Sequence, residues 1–107
     1  MDINNLPECP VETTLQFLNN KWKVLIIREL LSGTKRFGEL KKSVVGISQK
    51  VLTSNLRDME ENGLLVRAVF PEVPPRVEYT LTELGYSMNE IIKSMSQWGE
   101  MCKKCSK

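Results

Sequence analysis

The sequence contains no histidine. That removes Ser-His-Asp and Cys-His catalysis and every zinc site with a His ligand. Cysteine is scarce and odd in number. Cys9, Cys102 and Cys105 do not make a disulfide framework, and in a reducing cytosol they rest as thiols. No charge sign dominates, since fifteen basic residues face thirteen acidic ones, a balance of +2 that names no partner. Long apolar runs are missing too; the longest is Val24–Ile27, far short of a membrane span. Met1–Pro10 is polar and acidic and lacks the pattern of a signal peptide, so the expected compartment is the cytoplasm. What is there is average for a globular domain: 107 residues, 41% apolar and 26% charged, enough for one domain with a core of its own.

Proline and glycine divide the chain into elements. Val11–Asn20 reads as a helix with Pro10 at its first position, where the missing N–H costs nothing. Lys21–Ser32 reads as a second, with Trp22, Leu25, Ile26 and Leu30 on one face and Gly33 after its end. A short extended piece over Thr34–Phe37 leads into a third helix, Phe37–Ser43. Ser48 is placed to cap a fourth that runs to Asn62, with the buried stripe Leu52, Leu56 and Met59. Leu64–Phe70 and Arg76–Leu81 read as strands joined by the stiff tip Pro71–Pro75. In the second, Val77, Tyr79 and Leu81 alternate with Arg76, Glu78 and Thr80. Thr82–Lys104 reads as one long helix of ~35 Å. The expected fold is mainly α with a small β-hairpin wing: one winged helix-turn-helix domain over residues 1–107. Its helix-turn-helix spans 34–62 and its wing 64–81; 11–20 and 82–105 serve as dimer elements.

Charge is concentrated where that fold places its DNA-reading helices. Between Gly33 and Arg57 lie Lys35, Arg36, Lys41, Lys42, Lys50 and Arg57, opposed only by Glu39. This is the local footprint of phosphate contact, although a solvated face of a small domain looks similar. On the fourth helix Ser48, Gln49, Lys50, Thr53, Ser54 and Arg57 lie off the buried stripe, in or near the first turns, where a helix-turn-helix enters the major groove. Arg76 at the wing tip is a further candidate for phosphate or minor-groove contact. The DNA-binding set is therefore Arg36, Lys41, Lys42, Ser48, Gln49, Lys50, Thr53, Ser54, Arg57 and Arg76.

Leu84, Met88, Ile91, Met95, Trp98, Cys102 and Cys105 are spaced alternately by four and three residues, a seam of coiled-coil type. With Leu15 and Leu18 of the first helix they form the expected interface of a homodimer, the default assembly and one that suits a palindromic site. Met88, Met95, Met101 and Trp98 would also line a ligand pocket at the interface, but packing is the favoured reading of them.

The chain resembles the HxlR-type family of bacterial winged-helix transcriptional regulators, which is related to the MarR group. The resemblance is carried by Cys9-Pro10, Lys21-Trp22, Arg36-Phe37 with Leu40, Ile47-Ser48-Gln49 with Leu52-Thr53, and Leu56. It continues through Gly63-Leu64 with Arg67, Pro74-Pro75, Glu78-Tyr79-Thr80-Leu81-Thr82 with Gly85, and Trp98-Gly99. It implies a homodimer on an inverted-repeat operator and no catalysis; separately, no cofactor or metal is expected. It also implies, at Cys9, the cysteine that in some members senses oxidants or small electrophiles. The Gly usual before Lys-Trp is Asn20 here.

The residues themselves leave the thiols open. A helix N-terminus favours a thiolate at Cys9, while the adjacent Glu8 opposes it; the other reading is a small buried residue capping the helix. Cys102 and Cys105 form a Cys-x-x-Cys on the seam. They would pair across the dimer with Cys9, form a local redox pair, contribute to an incomplete Cys₄ metal set, or sit in a frayed tail with Lys103, Lys104 and Lys107. A winged-helix module that binds proteins rather than DNA, or a regulator with a non-thiol signal, are the alternatives.

Overall fold

The computed structural model describes residues 4–105; the first three residues and the last two, Ser106 and Lys107, lie outside them. The order is α1 (Pro10–Phe17), α2 (Lys21–Leu30), β1 (Lys35–Arg36), α3 (Phe37–Ser43), α4 (Gln49–Glu61), β2 (Leu65–Phe70), β3 (Arg76–Leu81), α5 (Glu83–Tyr86) and α6 (Asn89–Cys105). The fold is a winged helix, with one antiparallel sheet in the order β1-β3-β2.

Local signals set most element ends. The Ser48 hydroxyl accepts the Val51 N–H at 3.1 Å and starts α4. At the other end Gly63 takes φ +77°, while its N–H reaches the Glu60 carbonyl and the Leu64 N–H the Met59 carbonyl. That pair of bonds is the Schellman arrangement, and it turns the chain straight into β2. Register Leu65↔Leu81 through Phe70↔Arg76 builds the wing, and Lys35↔Tyr79 with Arg36↔Glu78 adds β1 to its other side.

Two expected boundaries differ by more than two residues. The first helix stops at Phe17 rather than Asn20, because Asn20 adopts an extended backbone and caps α2, its Oδ1 accepting the Lys23 N–H at 3.1 Å. The expected single helix from Thr82 is two helices. The Met88 N–H bonds back three residues to Gly85 instead of four, and the Ser87 hydroxyl donates to the Leu84 carbonyl, which tightens and ends α5. Gly85 is required here: a Cβ at this position would lie 2.2 Å from the Leu64 carbonyl oxygen.

The core lies where α2, α3 and α4 meet the sheet. Ile26, Ile27, Leu30, Leu40, Val44, Leu52, Leu56, Met59, Leu64 and Leu65 are buried in it, and Met88 and Ile92 close one side. Burial at ~1.5–3 kcal/mol per large side chain makes this cluster the main support of the fold.

Candidate nucleic-acid interface

The amphipathicity of α4 decides what it presents. Leu52, Leu56 and Met59 turn inward, and Gln49, Lys50, Ser54 and Arg57 are exposed, with Thr53 half-buried. Arg36, Lys41 and Lys42 are exposed on and before α3. None of Lys35, Arg36, Lys41, Lys42, Lys50 and Arg57 forms an ion pair among the described residues. The one acid among them, Glu39, accepts the Arg36 backbone N–H at 2.8 Å and so serves the start of α3. Ser48 is held by its capping role, which takes one lone pair of its oxygen and fixes the direction of the hydroxyl.

The wing arginine is placed differently from the expectation of a free tip contact. Arg76 stacks on the Phe70 ring, 4.1 Å from its centroid, and ion-pairs with Glu72 at 3.0 Å and Glu78 at 3.1 Å. Glu72 lies four residues before it and Glu78 two after on the same strand face, so the charge of the tip is largely satisfied within the wing. Arg36 and Arg76 flank one cleft of about 440 Å³, with Phe37 and Val73–Val77. A second hollow, of about 310 Å³, separates α4 from the wing and is lined by Thr53, Arg57, Glu60, Arg67 and Tyr79. Burial raises the Tyr79 phenol above its ordinary range, partly offset by Arg67 and Arg57, so it is a neutral hydroxyl at physiological pH.

The expected dimer residues divide. Leu18 and Met88 are consumed by the chain's own core, and Ile91 is half-buried against it, because the break before α6 folds the start of the seam inward. Leu15, Leu84, Met95 and Trp98 remain exposed, with Val11 and Met101 beside them; Trp98 is 64% exposed. Cys9, Cys102 and Cys105 are all exposed thiols, which overturns the reading of Cys9 as a buried cap. Among the described residues no group of His, Cys, Asp or Glu is placed to hold a metal. No described helix is long and apolar enough to cross a membrane.

Residues 17–107 match the HxlR-like helix-turn-helix family. The chain belongs to that family. It is 45% identical over 95 residues to the uncharacterized HTH-type transcriptional regulator YdeP of Bacillus subtilis, covering 89% of this chain and 74% of the relative. A MarR-family transcriptional regulator of Porphyromonas gingivalis W83 superposes with a TM-score of 0.85 at 40% identity, over 94% of this chain and 97% of that one. The redox regulator HypR in its oxidized form superposes at 0.81 with 42% identity, over 87% and 96%. The chain is thus a helix-turn-helix transcriptional regulator, and its relatives are regulators rather than enzymes.

A set of residues escaped the sequence reading. Lys23 is buried, 3% exposed, and its Nζ pairs with Asp58 and donates to Asn19 Oδ1 at 2.8 Å. Beside it Asn20 Nδ2 donates to Asn55 Oδ1 at 3.0 Å. The only sequence trace is that Asn20 and Lys23 on one segment, and Asn55 and Asp58 on another thirty-five residues on, share a three-residue spacing, which no local pattern connects.

Proposed function

We propose that the protein is a homodimeric, sequence-specific DNA-binding regulator that places α4 in the major groove of each half of an inverted-repeat operator. The carrying observation is the set of exposed cations on α3 and α4 that pair with no acid among the described residues. They supply the phosphate attraction, and Gln49, Thr53, Ser54 and Arg57 supply donors and acceptors for base edges. Arg57 and Gln49 have the reach for bidentate contacts to a guanine and an adenine respectively. The exposed apolar side chains of α1 and α6 form the partner surface: Leu15, Leu84, Met95 and Trp98 are costly to leave in water, and a two-fold axis through α6 covers them twice.

Control by thiol chemistry is part of the proposal. Cys9 is exposed at the N-cap of α1, with its carbonyl taken by the Thr13 N–H and its sulfur outside the helix. The likeness to HypR, a redox regulator, supports an oxidant or small electrophile as the signal. On oxidation two thiols, Cys9 of one subunit and Cys102 or Cys105 of the other, lose two protons and two electrons to the oxidant and form one disulfide. That bridge ties α1 to the partner's α6 and turns the two heads relative to each other.

Fluorescence anisotropy tests both parts. The wild-type protein is used to enrich a random duplex library, and the selected duplex is then titrated at two salt concentrations, with reductant and with diamide. Selective, salt-steep binding that changes on oxidation and is fixed in one state by Cys9→Ser is the expected result. Binding indifferent to oxidation overturns the thiol control and leaves a regulator with another signal. No selected sequence overturns DNA reading and leaves a protein-interaction module.

A further inference from the structure

We infer that Asn20–Asn55 and Lys23–Asp58 form a two-rung clamp that aims α4 at DNA, making these four side chains positioning residues for base recognition. The inference rests on the DNA-binding reading above and goes beyond it by assigning the residues that hold the reading head at its angle.

The geometry is regular. Asn20 and Lys23 are three apart at the start of α2, and Asn55 and Asp58 are three apart in the middle of α4, so each rung joins residues separated by the same thirty-five positions. Two rungs a helical turn apart fix both the slide of α4 along its axis and its rotation about it. Apolar packing alone does not, since interlocking aliphatic side chains tolerate small shifts that polar pairs do not.

Each amide is oriented from both sides. Asn20 uses Oδ1 to cap α2 through the Lys23 N–H, which leaves Nδ2 for Asn55 Oδ1; Asn55 then turns its own Nδ2 to the Val51 carbonyl at 2.9 Å. Lys23 is held on its other side by Asn19. The chain of bonds therefore runs from the α1–α2 junction into the backbone of α4 at Val51, within the stretch that carries the base-reading side chains. Arg57 adjoins Asp58, and Thr53 and Ser54 adjoin Asn55. A rotation of α4 would move all of them together while leaving the phosphate-facing cations of α3 where they are.

The separation of those two outcomes gives the test. Two charge-neutral changes are compared with wild type on the selected duplex and on a random duplex. Asn20→Ser keeps the cap of α2 and cannot reach Asn55. The double variant Lys23→Met with Asp58→Asn removes the ion pair without altering net charge. The ratio of random to selected Kd is expected to fall about tenfold in the double variant and a few-fold in Asn20→Ser, with random-duplex affinity and salt slope unchanged. Thermal melting confirms that each variant is folded at assay temperature, and if the double variant is not, Asn20→Ser decides alone. A folded variant with the wild-type selectivity ratio overturns the clamp and makes these bonds purely structural. A wild-type protein that enriches no sequence overturns the DNA-binding reading itself, and is seen before any variant is measured.

Discussion

The helix-turn-helix and the wing hold their cations in opposite states. Arg36, Lys41, Lys42, Lys50 and Arg57 stand exposed with no acidic partner among the described residues, whereas the wing's Arg67 and Arg76 face Glu60, Glu72 and Glu78. A free surface cation meets a phosphate by releasing counterions; a paired one must first give up its carboxylate. The overall balance of +2 conceals this, because attraction for DNA depends on which charges are available rather than on how many there are.

Emptying the first set breaks the comparison most strongly. Arg36→Ala, Lys41→Ala and Lys42→Ala together remove six cations from the proposed dimer, and the slope of log affinity against log salt should flatten by about five. Affinity for selected and random duplexes should fall alike, by about a hundredfold or more at low salt. Titrations at several salt concentrations measure both. A slope equal to wild type would show that these cations stay in solvent when DNA binds.

The interior pair is a third case, a cation neither free nor at the surface, and it is expected to respond asymmetrically. Asp58→Ala leaves Lys23 buried with Asn19 as its remaining polar partner and should cost about 2–3 kcal/mol of stability. Lys23→Met leaves Asp58 at a half-exposed position where water takes over, and should cost under ~1 kcal/mol. Thermal or urea unfolding of the two variants gives the order; equal losses would mean that the burial of Lys23 is not what makes the pair matter.

Arg57 tests whether the free set is uniform. If it reads a base, Arg57→Ala weakens the selected duplex by about 1–3 kcal/mol per contact and the random duplex far less. Equal weakening of both would place Arg57 with Lys41 and Lys42 as a phosphate contact.

These regions also differ in how readily the sequence reveals them. The bounds of α4 are legible because their causes are local: Ser48 caps one end, Gly63 closes the other, and Leu52, Leu56 and Met59 mark the buried face. The wing's second strand is legible because only one of its faces is buried, so Tyr79 and Leu81 alternate with polar residues. The break at Ser87–Met88 is hidden, since it is made by one hydroxyl and one shortened turn and keeps Leu84, Met88 and Ile91 at apparently continuous spacing. The clamp is hidden for a different reason. Lys23 reads as a surface lysine beside Trp22 until α4, distant in sequence, covers it. The neutralised wing arginine had a readable signal, Glu72 and Glu78 at spacings that reach Arg76 across a turn and along one strand face.

The wing offers the smallest effect and the finest test. Glu72→Gln with Glu78→Gln keeps the stacking of Arg76 on Phe70 and removes both ion pairs. Partly exposed pairs of this kind are worth on the order of 1 kcal/mol or less each, so the freed guanidinium should tighten binding to any duplex by about two- to fivefold and steepen the salt slope by about two per proposed dimer. Arg76→Ala should then matter in that background and hardly at all in the wild-type wing. The opposite pattern, with Arg76→Ala as costly in the wild-type wing as Arg57→Ala is on random DNA, would mean that phosphate displaces the two carboxylates on contact. In that event the pairs would be a resting arrangement of a DNA-binding arginine, and the wing would belong with α3 and α4 as part of one surface.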